Sequence, residues 1–381
     1  MRYFLYIISV LTLVLASCGG AGKTDDKVSA DSLYSVRDSV LGKADIYPDT
    51  VIIRYAKGLK VDYLSEGVRV TVSDPDPSSA GDSVSFVVKE PKKRFICMTA
   101  LQLSNFIALG LEDDVVGMNS LRHIFNPRIV ERMRDGKTLK IGKEGNFDLE
   151  SVIASQPDYI FVSSSKHGGY ETLKECGIPL IPHHGYKETD PLGQAEWIKL
   201  VGLLTGEVRR ANAVFDNIEM KYNTLKEEVR LLTENANVRI PTVVSGRQIR
   251  SGWYVMGGNS YMARVFKDAG ADYVMADRQE TGGVNMDFES VYAKAVDADF
   301  WQIDGSFDGE FSLKCLKAED SRYADLRAFK EKHVLFCNFA STPYRELSPV
   351  EPHLMLADFV KAFHPKVLPH YSPKYYKLVG D

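Results

Sequence analysis

A seven-residue phrase occurs twice in this chain and places one glutamate in each half. Residues 146–152 read Asn-Phe-Asp-Leu-Glu-Ser-Val, and residues 285–291 read Asn-Met-Asp-Phe-Glu-Ser-Val. In each phrase the aspartate can cap a helix, which puts Glu150 and Glu289 in the first turn. Favourable interaction with the helix dipole, about 0.3–1 kcal/mol, would explain one such glutamate but not the same phrase in both halves. We therefore predict that the two carboxylates dock on arginines of a two-fold-symmetric partner.

Histidines are the next residues that could do chemistry, because they are the commonest metal ligands among side chains. His123, His167, His183 and His184 fall in predicted loops, but no His-x-x-x-His or carboxylate spacing accompanies them. Ordinary loop histidines are the favoured interpretation, and no metal site is predicted. His123 and His167 are kept as candidates for contact with a ligand.

The remaining reactive side chains indicate no enzyme. No zinc-binding pattern is formed by the cysteines Cys97, Cys176, Cys315 and Cys337. Four cysteines can pair into disulfides in three alternative ways, and the sequence does not choose among them. No nucleophile stands beside a base, and no hydrolase, kinase or zinc-protease motif occurs. We therefore predict that the protein is not an enzyme. An exported hydrolase is the less favoured alternative, because it would need a nucleophile beside a base.

The N-terminus has the pattern of an export signal. Arg2 is followed by an apolar run over residues 3–15, too short to span a membrane, and then by Leu-Ala-Ser-Cys ending at Cys18. This ending matches a bacterial lipobox, so we predict a signal peptide over residues 1–18 and lipidation of Cys18. An uncleaved anchor with a chance cysteine is the alternative. The polar residues 19–44 are predicted to be a flexible tether.

Composition narrows the class of protein. The chain has 381 residues, 44% hydrophobic and 26% charged, with a formal net charge of −4. This length suffices for two domains with hydrophobic cores. The absence of a basic surplus argues against nucleic acid as a partner.

One long helix is predicted between two similar halves. Apolar residues recur at steps of three and four from Ala211 to Leu232, with charged residues on the other faces. At 1.5 Å per residue this helix would be roughly 40 Å long, far more than a connector needs. We predict an N-terminal lobe over 45–205, an inter-lobe helix over 206–236 and a C-terminal lobe over 237–381.

Within each half, short apolar runs alternate with helical segments. This alternation is typical of parallel β-sheets covered by helices, so the predicted fold class is α/β with two three-layer lobes. Parallel sheets bind ligands beyond the carboxyl ends of their strands. The candidate ligand-binding residues in the loops at these positions are Gln102, His123, Ser164, His167, Tyr186, Arg250, Trp253, Tyr254, Tyr344 and Arg345. The aromatic rings would offer flat apolar surface, and the arginines could meet ligand carboxylates.

Several separate phrases carry a family resemblance. Residues 191–199 read Pro-Leu-Gly-Gln-Ala-Glu-Trp-Ile-Lys, and residues 253–261 read Trp-Tyr-Val-Met-Gly-Gly-Asn-Ser-Tyr. With the export signal, the lone helix and the duplicated glutamate phrase, they resemble the substrate-binding lipoproteins of bacterial ABC importers. The branch is that of the class III periplasmic binding proteins for iron–siderophore complexes, haem and cobalamin. Two departures are Gln194, where arginine is more usual, and Pro-Tyr-Arg-Glu over 343–346, where relatives often carry a Tyr-Trp pair.

The resemblance implies a function and partners. It implies a lipid-anchored protein of the bacterial cell envelope, facing the periplasm or exposed at the surface, that delivers its ligand to a permease homodimer. Glu150 and Glu289 would dock on that permease, and Cys18 would hold the protein to the bilayer. No cofactor is expected; the ligand would be a ferric siderophore, haem or cobalamin. The alternative is a surface-held haem or metallophore carrier or sensor that acts without a permease.

Overall fold

The computed structural model describes residues 33, 42, 44–76, 83–143, 146–163, 170–249 and 252–381. The predicted signal peptide with its lipidation site, and most of the predicted tether, lie outside these residues. Three candidate ligand-binding residues also lie outside them: Ser164, His167 and Arg250. In the described ranges no helix is both long enough and apolar enough to cross a membrane.

The first structured segment is a small antiparallel sheet that precedes the parallel sheet of the N-terminal lobe. It consists of β1 (Leu59–Leu64), β2 (Gly67–Val72) and β3 (Val84–Val88), paired in that order. Residues 51–55 look like a strand in sequence but form none. Instead, the backbone N–H groups of Arg54, Tyr55 and Ala56 donate to the buried carboxylate of Glu196, so a side chain satisfies the donors that a strand would have paired.

The N-terminal lobe is built on a five-stranded parallel sheet with the order β10-β9-β4-β5-β6. A two-stranded hairpin, β7–β8, precedes the first glutamate phrase helix. The strands are β4 (Phe95–Cys97), β5 (Val115–Met118), β6 (Leu139–Lys140), β7 (Gly142–Lys143), β8 (Asn146–Phe147), β9 (Tyr159–Val162) and β10 (Leu180–Pro182). The helices are α1 (Ala100–Leu109), α2 (Pro127–Arg134), α3 (Leu149–Ala154), α4 (Glu171–Glu175), α5 (Pro191–Glu196) and α6 (Ile198–Thr205).

The predicted inter-lobe helix is present as a single uninterrupted helix, α7 (Val208–Thr233). Gly206 separates it from α6 by adopting a left-handed conformation with φ of 79°, which glycine allows without strain. One face of α7 is buried against both lobes, through α6 on one side and the C-terminal helix on the other. Leu33, from the segment predicted as a tether, is buried, and its carbonyl accepts a hydrogen bond from Lys221 Nζ on α7 at 3.4 Å.

The C-terminal lobe repeats the arrangement with a mixed sheet of order β14-β11-β16-β17-β18, parallel except for its last pair. A second, antiparallel sheet, β12-β13-β15, stands beside it. The strands are β11 (Thr242–Ser245), β12 (Arg247–Ile249), β13 (Gly252–Met256), β14 (Asp272–Tyr273), β15 (Gly283–Met286), β16 (Phe300–Gly305), β17 (Val334–Asn338) and β18 (Lys377–Leu378). The helices are α8 (Tyr261–Asp268), α9 (Phe288–Ala295), α10 (Leu313–Glu319), α11 (Arg327–Lys330), α12 (Tyr344–Leu347) and α13 (Pro352–Phe363).

This architecture confirms the predicted fold class of two α/β lobes with mainly parallel sheets joined by one long helix. The four cysteines that follow Cys18 are all free thiols, so none of the three possible pairings occurs. Cys97 and Cys337 are buried, and burial alone raises the pKa of the Cys97 thiol far above its usual range. These two side chains therefore act as small apolar residues of the core.

Candidate functional site

A cavity of about 770 Å³ lies between the two lobes. Its size falls within the ~300–1,000 Å³ typical of sites for cofactor-sized ligands. The N-terminal lobe lines it with Met98, Thr99, Ala100, Leu101, Asn119, Ser120, Arg122, His123, Ile124, Tyr186 and Gln194. The C-terminal lobe lines it with Met256, Ser260, Tyr261, Met262, Thr281, Gly282, Asp304, Tyr344, Arg345, Ser348, Pro349 and Met355.

The cavity lies at the carboxyl ends of strands in both lobes. Strand β4 is followed at once by Met98, β5 by Asn119, and β10, four residues later, by Tyr186. In the other lobe β13 ends at Met256, and β16 carries Asp304 next to its last residue. Open α/β sheets bind ligands at this edge, so the topology brings together loops that are far apart in sequence.

Two arginines enter the cavity from opposite lobes. Arg122 follows β5 in the N-terminal lobe, and Arg345 belongs to α12 in the C-terminal lobe. Neither guanidinium forms an ion pair with any residue that the structure describes, although Arg345 stands 4.8 Å from the centre of the Phe339 ring. Guanidinium groups bind carboxylates and similar anions in a bidentate manner. The pair could therefore hold a negatively charged ligand between the lobes.

His123, which follows Arg122 in the chain and also lines the cavity, has an unusual backbone conformation, with φ of 64°. Its pKa is lowered, first by burial and then by the positive charges of Arg345 and Arg122. The backbone of Phe339, in the other lobe, acts in the opposite direction and raises the pKa of this ring. A neutral imidazole in this place can donate or accept a hydrogen bond without adding charge.

The acidic group of the cavity is Asp304, whose pKa is raised mainly by burial. Gln302 Nε2 donates to Asp304 Oδ2 at 3.2 Å, and this hydrogen bond partly offsets the effect of burial. The carboxyl group thus lies at the cavity wall with its charge disfavoured. The cavity lining therefore contains two arginines and one acidic side chain, a surplus of positive groups.

Soft apolar groups make up much of the rest of the wall. Tyr186 and Tyr344 are the two predicted aromatic residues that do line the cavity, and Tyr261 joins them. Four methionines also line it: Met98, Met256, Met262 and Met355. Flexible thioether side chains adapt to irregular or flat ligand surfaces, so this wall suits a bulky, partly apolar molecule.

The prediction that Gln102 binds ligand directly is corrected by the structure. The side chain is buried in the capping box of α1, where its Oε1 accepts from the N–H groups of Met98 at 2.7 Å and Thr99 at 3.1 Å. Gln102 does not line the cavity. It fixes the loop between β4 and α1, whose residues do, and a Thr followed three positions later by Gln is the sequence signal for such a cap.

Two aromatic predictions are also wrong. Trp253 is 0% exposed and packs in the core of the C-terminal lobe against Phe288, Trp301 and Tyr323. Its neighbour Tyr254 points to the other face of β13, where it is 38% exposed and lines no part of the cavity. Side chains alternate along a strand, so Tyr254 shares a face of β13 with Met256, which lines the cavity, but the Tyr254 ring is not part of the lining.

The two phrase glutamates are placed alike. Asp148 accepts from Ser151 N at 3.1 Å and Asp287 from Ser290 N at 2.8 Å, so both aspartates cap their helices as predicted. Glu150 and Glu289 occupy the second positions of α3 and α9, and both are exposed. The Glu289 side chain is 81% exposed, with Arg322 Nη1 3.8 Å away.

Buried histidines elsewhere in the fold have structural roles. His183 packs edge-on against Phe161 and close to Trp197, and burial lowers its pKa to about 3. His184 is also buried beside Trp197. In the ranges described, no three His, Cys, Asp or Glu side chains are grouped so that they could hold a metal ion.

Sequence reasoning missed Arg122 and the four cavity methionines. The sequence predicts His123 as a ligand contact, but nothing in the sequence distinguishes its neighbour Arg122 from any exposed arginine. Gln194, noted as a departure from the usual arginine, does line the cavity and donates from Nε2 to the Gly185 carbonyl at 3.1 Å.

Known proteins share sequence or fold with this chain. An uncharacterized lipoprotein of Methanocaldococcus jannaschii is 27% identical over 307 residues, which cover 77% of this chain and 71% of that protein. A periplasmic heme binding protein from Pseudomonas aeruginosa superposes with a TM-score of 0.58 at 20% identity, over 76% of this chain and 97% of that chain. An ABC-type Fe3+-hydroxamate transport system protein from Saccharomonospora viridis gives a TM-score of 0.58 at 19% identity, over 77% and 98% of the two chains. At such identities the structural likeness shows the fold.

The family itself is shown by the sequence. The profile of the family described as periplasmic binding protein matches residues 96–340, which include most strands of the two main sheets and the helix between them. The match covers more than half of the 381 residues. This chain therefore belongs to the periplasmic binding protein family, whose members carry solutes and are not enzymes.

Proposed function

We propose that this protein captures a negatively charged metal chelate between its lobes and delivers it to an ABC importer. The observation that carries the proposal is the inter-lobe cavity with Arg122 and Arg345 entering from opposite sides. A cavity of about 770 Å³ is much larger than a single ion needs, and its methionine and tyrosine wall suits a bulky ligand. Haem, and ferric siderophores with carboxylate or catecholate groups, are bulky chelates that carry anionic oxygens.

Among the ligands of the wider family, the charge of the cavity favours these over a corrinoid. Haem carries two propionates, and many siderophores carry carboxylate or catecholate oxygens, which guanidinium groups bind well. One structural neighbour, a periplasmic heme binding protein, is consistent with this preference. Cobalamin remains the alternative ligand, since its macrocycle would also fill the apolar wall.

Delivery would use Glu150 and Glu289. Each glutamate lies in the first turn of a helix that leads into a parallel strand of its lobe, β9 or β16. A crossover helix of this kind runs antiparallel to the strands, which would place both helix N-termini towards the carboxyl ends of the strands. That is the edge at which the cavity opens. Two exposed carboxylates placed alike on two lobes fit a permease homodimer that presents arginines. Cys18 would anchor the protein to the cell envelope, and the lipoprotein name of the archaeal relative supports this.

The test is a binding screen with defined chelates. The purified protein is incubated separately with hemin, a ferric hydroxamate, a ferric tricatecholate and cyanocobalamin, then desalted, and the absorbance of the protein fraction is recorded. We expect hemin or a ferric siderophore to co-elute with the protein at one per chain. A variant with Arg122→Ala and Arg345→Ala should retain much less of it. If cyanocobalamin alone co-elutes, the corrinoid reading replaces this one, and if nothing co-elutes, the proposal fails.

The second candidate is a surface-held haem or metallophore carrier that acts without a permease. It shares the cavity and differs in the partner. The two functions are separated by measuring whether the ligand-loaded protein binds its candidate permease. For this measurement the permease is reconstituted in nanodiscs. We expect saturable binding that requires Glu150 and Glu289; its absence would favour the carrier.

A further inference from the structure

A buried carboxylate joins the two lobes beside the cavity. Glu346, on α12 of the C-terminal lobe, is 1% exposed. Its Oε2 accepts from the backbone N–H of Phe125 at 2.7 Å, and its Oε1 accepts from the backbone N–H of Asn126 at 2.8 Å. Both donors belong to the N-terminal lobe, so both hydrogen bonds connect one lobe to the other.

Both ends of this contact adjoin residues of the cavity. Arg122, His123 and Ile124 come immediately before Phe125, and Tyr344 and Arg345 come immediately before Glu346. The carboxylate is therefore bonded to the loop that carries one arginine and is attached to the helix that carries the other. Helix α12 also packs against α1, whose preceding loop lines the cavity.

The loop from 121 to 126 is held at further points. The Asn126 side chain caps α2 by accepting from Ile129 N at 3.0 Å, and its Nδ2 donates to Glu112 Oε1 at 3.2 Å. His123 has a left-handed backbone conformation, and its ring interacts electrostatically with the backbone of Phe339 across the lobe boundary. A non-glycine residue keeps such a conformation only when its surroundings hold it, and Glu346 supplies two of the bonds that do so.

We propose that Glu346 is a positioning residue for ligand binding, which holds the Arg122–His123 loop against the C-terminal lobe so that both arginines face one ligand. This inference rests on the proposed function, because it assigns a role in the same cavity. A buried carboxylate is costly unless its oxygens are bonded, and here two backbone donors from the opposite lobe satisfy them. Preorganisation of this kind improves affinity by removing the cost of ordering the loop at the moment of binding.

The first test needs no ligand. Hydrogen exchange of the Phe125 and Asn126 amides is compared between the wild-type protein and Glu346→Gln. The amide side chain of glutamine can accept only one of the two bonds and turns its NH2 group towards the other donor. We expect these two amides to exchange about tenfold faster or more, while amides of β5 and α7 keep their rates. Unchanged exchange at 125 and 126 overturns the contact as a stabilising bond.

The second test measures affinity for hemin and for a ferric hydroxamate by absorbance or fluorescence titration. Glu346→Gln should weaken binding by about tenfold, mainly through faster dissociation, and Glu346→Asp, which keeps the charge, should lie between it and wild type. Asp358→Asn is the matched control: Asp358 is a buried carboxylate with backbone donors from its own lobe, Lys374, Tyr375 and Tyr376. It should lower thermal stability and leave affinity unchanged.

A double-mutant cycle shows whether Glu346 acts through the arginine. In an Arg122→Ala background the loss caused by Glu346→Gln should shrink to less than about threefold, because the positioned group is already gone. Fully additive losses overturn the positioning role, as does faster amide exchange with unchanged affinity. If wild type binds no chelate, the proposed function fails, and the exchange experiment still decides whether the contact exists.

Discussion

Arg122 and Arg345 reach the same cavity from opposite lobes, and neither is paired with a carboxylate among the residues that the structure describes. Two like charges that share a cavity repel each other unless something between them is negative. The two arginines therefore favour binding of an anionic ligand that contacts both lobes at once. It also means that such a ligand would favour the state in which the lobes are close together.

The arginines give the first prediction. Arg122→Ala or Arg345→Ala should weaken binding of hemin or a ferric siderophore by about 10–100-fold, the loss expected for a charge-assisted bidentate contact. Arg345→Lys should recover part of the affinity, since it restores charge but not the planar fork. Calorimetric titration provides the measurement. Arg134→Ala, which removes an exposed arginine on α2, is the control, and an equal loss there would contradict the assignment.

The phrase glutamates give the second prediction. Glu150→Ala combined with Glu289→Ala should leave chelate affinity unchanged and reduce uptake by cells at least about tenfold, with each single variant intermediate. Uptake of radiolabelled iron complex and binding to the reconstituted permease are the measurements. Glu131→Ala combined with Glu310→Ala removes the same charge from exposed positions, one in each lobe, and should transport normally. Reduced chelate affinity in the first pair would refute docking as its role.

Buried histidines give the third prediction, on stability against pH. Burial lowers the pKa values of His183 and His353 from 6.5 to about 3. The unfolded chain therefore binds more protons than the folded chain between pH 6.5 and 3, and the stability present above pH 6.5 is lost as pH falls through this window. From pH 7.5 to 5.0 each ring should cost about 2 kcal/mol of unfolding free energy.

Urea unfolding at the two pH values measures this loss. Changing both histidines to glutamine should make the fall between pH 7.5 and 5.0 smaller than in wild type. Asp358 acts in the opposite direction, because burial raises its pKa to about 6 and its contribution to stability is lost as pH rises. The comparison is therefore made between variants at each pH. An identical fall in the free energy of unfolding in wild type and variant would show that these two histidines do not cause the loss of stability at low pH.

The inter-lobe helix gives the fourth prediction. The Tyr222 hydroxyl donates to Asp268 Oδ2 at 2.9 Å, and Lys226 Nζ lies 3.1 Å from Asp268 Oδ1. This buried bond ties α7 to α8 of the C-terminal lobe. Tyr222→Phe should lower the free energy of unfolding by about 1–2 kcal/mol, since a charged acceptor loses one donor. Tyr47→Phe, at a half-buried site, should change stability by less than about 0.5 kcal/mol, and thermal unfolding compares the two.

The sequence by itself determined most of the helices and strands of this protein and their order. The apolar period that predicted a helix over 206–236 is a local property, and α7 runs unbroken from Val208 to Thr233. The caps on the two phrase helices are equally local, because in each phrase the aspartate accepts from the backbone N–H group three residues later. The alternation of strands and helices likewise decided the fold class, and through it the edge at which the cavity lies.

Only the tertiary structure decided which side chains meet. A run such as Trp253-Tyr254 shows that one ring is buried and the other is not, but not which face of the strand lies towards the cleft. Arg122, Arg345 and Glu346 form a site because a loop and a helix more than two hundred residues apart in sequence meet at one boundary between the lobes. Contacts of that kind depend on how sheets and helices pack in three dimensions, and no periodicity along the chain encodes them.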